Sequence, residues 1–145
     1  MKVVAQNRRA RFDYEIVETV EAGMMLTGQE VKSCRNGHVS LAGAYVSFRA
    51  GKPVVKQMKI SPYPAAGPLP DYDELQDRTL LLSKKDQVRL ESAVEEKGVT
   101  LLPMEVRAGK YIKVLLGLGK GRKTIDKRQA IKKRDLEREM RKGRF

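Results

Sequence analysis

A chain of 145 residues with 41% hydrophobic residues builds one domain around one core and leaves little room for a second; 6% aromatic content and no Trp make that core aliphatic. Thirty Lys plus Arg against eighteen Asp plus Glu give a net charge of +12, which points to a polyanionic partner, nucleic acid ahead of an anionic membrane. One cysteine, Cys34, excludes an intramolecular disulfide and a multi-cysteine metal site, and it fits a reducing cytoplasm as a small buried hydrophobe.

The N-terminal MKVVAQNRRARFDYEI has no apolar run of signal-peptide length and no stretch reaches membrane-spanning length, so a soluble, cytoplasmic protein is expected. In NRRARFDY, Arg8, Arg9 and Arg11 precede Phe12 and Tyr14, which interleaves phosphate-pairing forks with rings that stack on bases. The same segment also reads as a basic leader capping the domain. From Asp13, DYEIVETVEAGMMLTGQEVKS mixes β-branched residues and charges around Gly23 and Gly28, the pattern of short strands with a turn or bulge; Thr27 to Ser33 is alternatively one or two helical turns. Ser33 beside Cys34 has no base nearby to activate it, and His38, the only histidine, falls in a turn without an acid–base partner. Val39 to Phe48 and Val54 to Ile60, joined by RAGKP, predict a β-hairpin with Pro53 where the second strand begins.

SPYPAAGPLPDYDE holds four of the six prolines and is a loop, with Asp71, Asp73 and Glu74 read as solvated acids rather than a metal site. Ser83 as N-cap, Asp86, an apolar set of Val88, Leu90, Ala93 and Val94, and Gly98 as terminator predict a helix. VTLLPMEV and YIKVLLGL, joined by Arg107 to Lys110, predict a second, buried hairpin. GLGKGRK lacks the Gly-Lys dipeptide followed by Ser or Thr of a phosphate-binding P-loop. Its Gly119 and Gly121 permit close backbone approach while Lys120, Arg122 and Lys123 present cations to phosphate; a solvated linker is the other reading. Residues 119–145 carry twelve Lys or Arg against four Asp or Glu, 12 − 4 = +8. Ile125, Ile131, Leu136 and Met140 make no adequate apolar stripe, so the tail is expected to be disordered or fluctuating when free and ordered against a polyanion, and it lacks the bulky apolar face of a membrane helix. The predicted fold is mainly β: an antiparallel barrel of oligonucleotide-binding (OB) type, roughly five-stranded, with added helices. Residues 1–123 form the barrel and 124–145 the tail.

The segments NRRARFDYEIVETVEAGMMLTGQEVKSCRNG, ISPY, LLLSKKD, GVTLLPMEV and GKGRKTIDKR occur in an order and spacing that closely resemble the bacterial SsrA-binding protein (small protein B) family, from about Asn7 to Arg128. The resemblance implies an OB-type barrel whose tail is disordered in solution and helical on the ribosome, with no catalytic residues, metal or cofactor. It implies binding to the tRNA-like domain of transfer-messenger RNA (SsrA RNA), delivery with elongation factor Tu to stalled ribosomes for trans-translation, and entry of the tail into the vacant message channel beyond the decoding region of the small subunit. It assigns to RNA Asn7, Arg8, Arg11, Phe12, Glu21, Glu30, Lys32, Ser33, Arg35, Leu81, Lys113, Lys120, Gly121, Arg122 and Lys123. The tail residues it assigns to the ribosome are Asp126, Lys127, Arg128, Lys132, Lys133 and Arg134. Phe12 replaces a family His, Ile125 replaces a His or aromatic, and Glu74, Gln76 and Thr79 stand where a Pro and two basic residues are usual. A generic ribosome-associated OB-fold protein that holds RNA is the alternative; a nuclease would need an acid–base cluster.

Overall fold

The computed structural model describes residues 2–67 and 69–121. In chain order the elements are β1 (Lys2–Gln6), α1 (Ala10–Asp13), β2 (Tyr14–Met24), α2 (Gly28–Arg35), β3 (Val39–Ser40), β4 (Tyr45–Arg49), β5 (Lys52–Lys56), β6 (Lys59–Ile60), a 3-10 turn (Pro64–Ala66), β7 (Arg78–Leu81), α3 (Lys84–Val94), β8 (Val99–Ala108) and β9 (Ile112–Gly121). Six strands close a ring in the order β8-β4-β5-β7-β2-β9 and back to β8, every pair antiparallel. β1 occupies the rest of the β8 edge that β4 leaves open. The expected OB-type barrel with added helices is present, with six strands in its wall instead of about five.

Side-chain alternation along β8 and β9 makes the core. Leu101 and Val106 on β8 and Val114, Leu116 and Leu118 on β9 point inward and are buried, the two-residue period of a strand with one face on a core. Pro103 lacks the N–H that a ladder needs, and the register shifts beside it, between Pro103 and Glu105. Inside the same core lie Leu90, from α3, and Cys34, whose thiol burial pushes up to about 12; the thiol is therefore inert packing, as expected.

A second, smaller core lies on the outer face. Ala10 of α1, Leu102 and Met104 of β8 cluster there, with Tyr14, Ile16 and Leu115 packed against them. Gly117 and Gly119 of β9 make the room: a Cβ would come within 2.8 Å of the Met104 side chain at the first and 2.9 Å of Tyr14 Cβ at the second. Gly119→Ala should therefore cost about 1–3 kcal/mol, the range for overpacking a filled site. A denaturant midpoint unchanged from the parent would refute this account of the glycine run.

Other elements depart from expectation for definable reasons. β2 is one strand of eleven residues, because a register shift between Ile16 and Glu18 absorbs the irregularity without ending the ladder. Of the two readings of Thr27 to Ser33 the helical one holds, with Thr27 and Glu30 forming a reciprocal cap. Val39 to Phe48 is two strands, β3 and β4, interrupted at Gly43 with φ +75°. The first hairpin turns on Ala50 and Gly51, both at positive φ, as the type I′ form of a two-residue hairpin requires. Ser83 caps α3 as expected, accepting from Asp86 N at 3.2 Å. The helix stops at Val94, short of Gly98, and Val88 is 60% exposed. Among its described residues the Pro-rich loop is irregular apart from one 3-10 turn. β9 continues to Gly121, so Gly117 to Gly121 is paired strand, not linker.

Candidate nucleic-acid interface

The β2–β9 ladder positions the site residues. Its register runs from Tyr14↔Gly121 to Gly23↔Lys113, a span of roughly 30 Å at about 3.3 Å per residue. Each end carries a group of expected RNA-binding residues.

At the first end, α1 enters β2 beside the end of β9, which brings exposed Arg8, Arg9 and Arg11, together with Phe12, near Lys120 and Gly121. Arg9 lies over the Phe12 ring at 5.2 Å and pairs with Asp13 at 3.5 Å. The capping reading of the N-terminal segment holds, since Ala10 packs into the small outer core; the arginines of the same segment stay exposed. Asn7 is half-buried; its N–H donates to the Met104 carbonyl at 2.8 Å and its Nδ2 to that of Pro103 at 3.1 Å. Two adjoining clefts, about 660 and 470 Å³, share Asn7, Arg9 and Gly43, with Tyr14 and Tyr45 lining the smaller.

At the other end, away from α1, the outward residues of the sheet are exposed or half-buried among the described residues. Arg107, Lys113, Gly23 and Leu81 form one row across β8, β9, β2 and β7. A Cβ on Gly23 would sit 3.3 Å from Leu81 Cβ, so the leucine lies close over bare backbone while staying 54% exposed. Glu21 occupies the next outward position of β2 and pairs with Arg107 at 3.6 Å. α2 adds exposed Lys32 and Arg35; Arg35 Nη2 donates to the Lys110 carbonyl at 3.1 Å and Lys32 lies 5.8 Å over the Tyr63 ring. Cations, an acid and an apolar platform thus meet on one face, a combination suited to phosphates and unstacked bases.

Glu30 and Ser33 are corrections. They are 1% and 0% exposed, too buried for RNA to reach. Glu30 Oε2 pairs with Arg78 Nη2 at 2.7 Å and accepts from Arg78 Nε at 2.8 Å and Gln76 Nε2 at 3.2 Å. Arg78 also donates to the carbonyls of Met58, Gln76 and Glu74, and Tyr72 Oη lies 3.0 Å from Glu30. Burial pushes the Glu30 carboxyl up, but the Thr27 N–H, Arg78 and Gln76 more than offset it and hold it below its ordinary value. Ser33 Oγ donates to the Ser61 carbonyl at 2.5 Å. In the Glu-x-Lys-Ser-x-Arg pattern, Glu and Ser therefore anchor α2 to the barrel and the Pro-rich loop, and helical spacing turns Lys32 and Arg35 outward.

Arg122 and Lys123, and the tail residues Asp126, Lys127, Arg128, Lys132, Lys133 and Arg134, lie outside the described residues. Sequence reasoning singled out neither Arg107 of this row nor the solvent-facing Met25 and Tyr111, the last two 59% and 63% exposed. Only the hairpin register, Arg107 opposite Lys113, carried a signal for the first. Among the described residues there is no group of three or more His, Cys, Asp or Glu able to hold a metal ion, and no helix is long and apolar enough to cross a membrane.

Comparison with known proteins decides the family. A family model described as SmpB protein matches residues 4–144. The chain belongs to the SmpB family. It is 48% identical over 140 residues to the SsrA-binding protein of Prochlorococcus marinus subsp. pastoris, covering 96% of this chain and 80% of that one. The SsrA-binding protein of Coprothermobacter proteolyticus is 46% identical over 143 residues, 97% of this chain and 95% of the relative. A solved chain described as tmRNA-SmpB at the center of the bacterial ribosome superposes with a TM-score of 0.71 at 42% identity, over 90% of this chain and 95% of that chain. The SmpB match spans both ends of the β2–β9 ladder and the residues beyond Gly121.

Proposed function

We propose that this protein binds the tRNA-like domain of transfer-messenger RNA and promotes its delivery to stalled ribosomes for trans-translation. The observation that carries this reading is the outer-face row in which Arg107, Lys113, Gly23 and Leu81 align beside Lys32 and Arg35 of α2. Kinship with SsrA-binding proteins at 48% identity supports the choice of RNA. The protein acts as an adaptor and does no chemistry. Elongation factor Tu accompanies the RNA, and Asp126, Lys127, Arg128, Lys132, Lys133 and Arg134 engage the small subunit at the decoding region and message channel. All of this takes place in the cytoplasm.

The test is a gel-shift titration with transfer-messenger RNA in the presence of excess bulk tRNA. Tight, competitor-resistant binding is expected. Binding that collapses with competitor would replace this reading with a generic RNA-holding barrel. If about six phosphates are neutralised, affinity should fall by at least ~10³ between about 50 and 200 mM salt; a shallow slope would rule out so electrostatic an interface.

A further inference from the structure

Arg107 and Lys113 are neighbours across β8 and β9, yet their surroundings differ. Lys113 makes no ion pair among the described residues. Arg107 is held on two sides: Nε donates to Glu105 at 2.9 Å and Nη1 pairs with Glu21 at 3.6 Å. Glu105 lies on β8 and Glu21 on β2, each opposite Leu115 of β9. The Arg107 side chain therefore crosses β9 to reach Glu21, because strands two apart in a sheet are separated by about 9.5 Å. Glu21 is 44% exposed and Arg107 31%. The carboxylate stands out into solvent while the guanidinium lies back along the sheet between its two acids.

We propose that Arg107 is a positioning residue: it fixes the Glu21 carboxylate on the outer face to accept hydrogen bonds from nucleotide N–H or O–H donors, while Lys113 beside it meets phosphate. The proposal rests on the RNA-binding reading above and divides labour within that site. Two carboxylates already neutralise Arg107 and would repel a phosphate drawn toward it. A carboxylate offers acceptors only, so Glu21 selects nucleotide donors and rejects phosphate. A planar five-donor fork can hold two carboxylates in fixed orientation, which an ammonium group does less well.

Salt dependence separates the roles, because removing one cation that neutralises a phosphate lowers the slope of log affinity against log salt by about 1. Arg107→Gln, Glu21→Gln, the double variant and Lys113→Gln are titrated with transfer-messenger RNA over a salt series. Lys113→Gln is expected to reduce the slope by about 1. Arg107→Gln is expected to weaken binding about tenfold with the slope unchanged, and the double variant to be no weaker than either single one, the non-additivity of residues acting as a unit. A slope reduced by about 1 in Arg107→Gln, or additive losses in the double variant, would overturn the proposal. Denaturant midpoints close to the parent's, as is usual for surface changes, are expected throughout; should Arg107→Gln fold poorly, Arg107→Lys is put through the same slope and cycle measurements. If the parent chain fails to hold transfer-messenger RNA against bulk tRNA, the functional reading fails first, and that result is visible before any variant is made.

Discussion

Arg78→Ala is expected to cost about 3–5 kcal/mol of stability, because it leaves the Glu30 carboxylate in the interior without its counter-charge. That loss is a large fraction of the roughly 5–15 kcal/mol typical of a domain. The size follows from the wiring: Arg78 joins α2 through Glu30, β6 and its flank through the Met58 carbonyl, and the Pro-rich loop through Tyr72 and the carbonyl of Glu74. Its side chain is 1% exposed and that of Glu30 is 2%, so water does not replace what is removed. A urea melt reads the effect as a midpoint shift at constant slope. A loss below about 1 kcal/mol, the worth of an exposed ion pair, would mean that the network does not brace α2 against the barrel.

The same pair sets an acid dependence. In the parent, the folded Glu30 carboxyl lies below its ordinary value, so its contribution is present above that value and fades as pH falls through the lower, folded one. Without Arg78, burial and no cation push the carboxyl the other way, and protonation then favours the folded state. The stability gap between parent and Arg78→Ala should therefore narrow as the solution is acidified. A gap that widens in acid would contradict the assignment of the charge.

Both hairpins, α3 and the irregular Pro-rich loop were legible because each is signalled within a short window, by strand alternation around Gly-containing turns, by a Ser cap, or by proline density. Glu30 was misread because its partners are distant: Arg78 lies 48 residues on, and no local pattern says that an acid will be buried. α1 has four residues, too few for a helical period. The glycines of β9 resembled a linker because the side chains that fill the space above them, Met104 and Tyr14, come from other strands. Val88 could have been excluded from the core set: two residues before Leu90 on a helix is about 200° around the axis, whereas Leu90, Ala93 and Val94 share one face. At the interface, Lys113 and Leu81 entered through family resemblance, and only the register showed that they share a row with Gly23 and Arg107.

Removing residues 124–145 is expected to leave transfer-messenger RNA affinity within a few-fold of the full chain, a change of about 1 kcal/mol or less, while abolishing tagging of stalled products. The deleted segment holds nine Lys or Arg and four Asp or Glu, so the remainder keeps 30 − 9 = 21 cations against 18 − 4 = 14 anions, a net +7. The described cations placed at the two ends of the β2–β9 ladder stay in that remainder, Arg8, Arg9, Arg11 and Lys120 at one end and Lys32, Arg35, Arg107 and Lys113 at the other. Shape-selective recognition built on the barrel should therefore survive. Sequence-independent attraction to bulk tRNA should fall, since it scales with the phosphates neutralised, and the ratio of specific to bulk affinity should rise. Binding and tagging are then separable by one truncation. An RNA affinity reduced a hundredfold would transfer recognition from the sheet face to the tail, and tagging that persists without these residues would remove the tail from the ribosomal step.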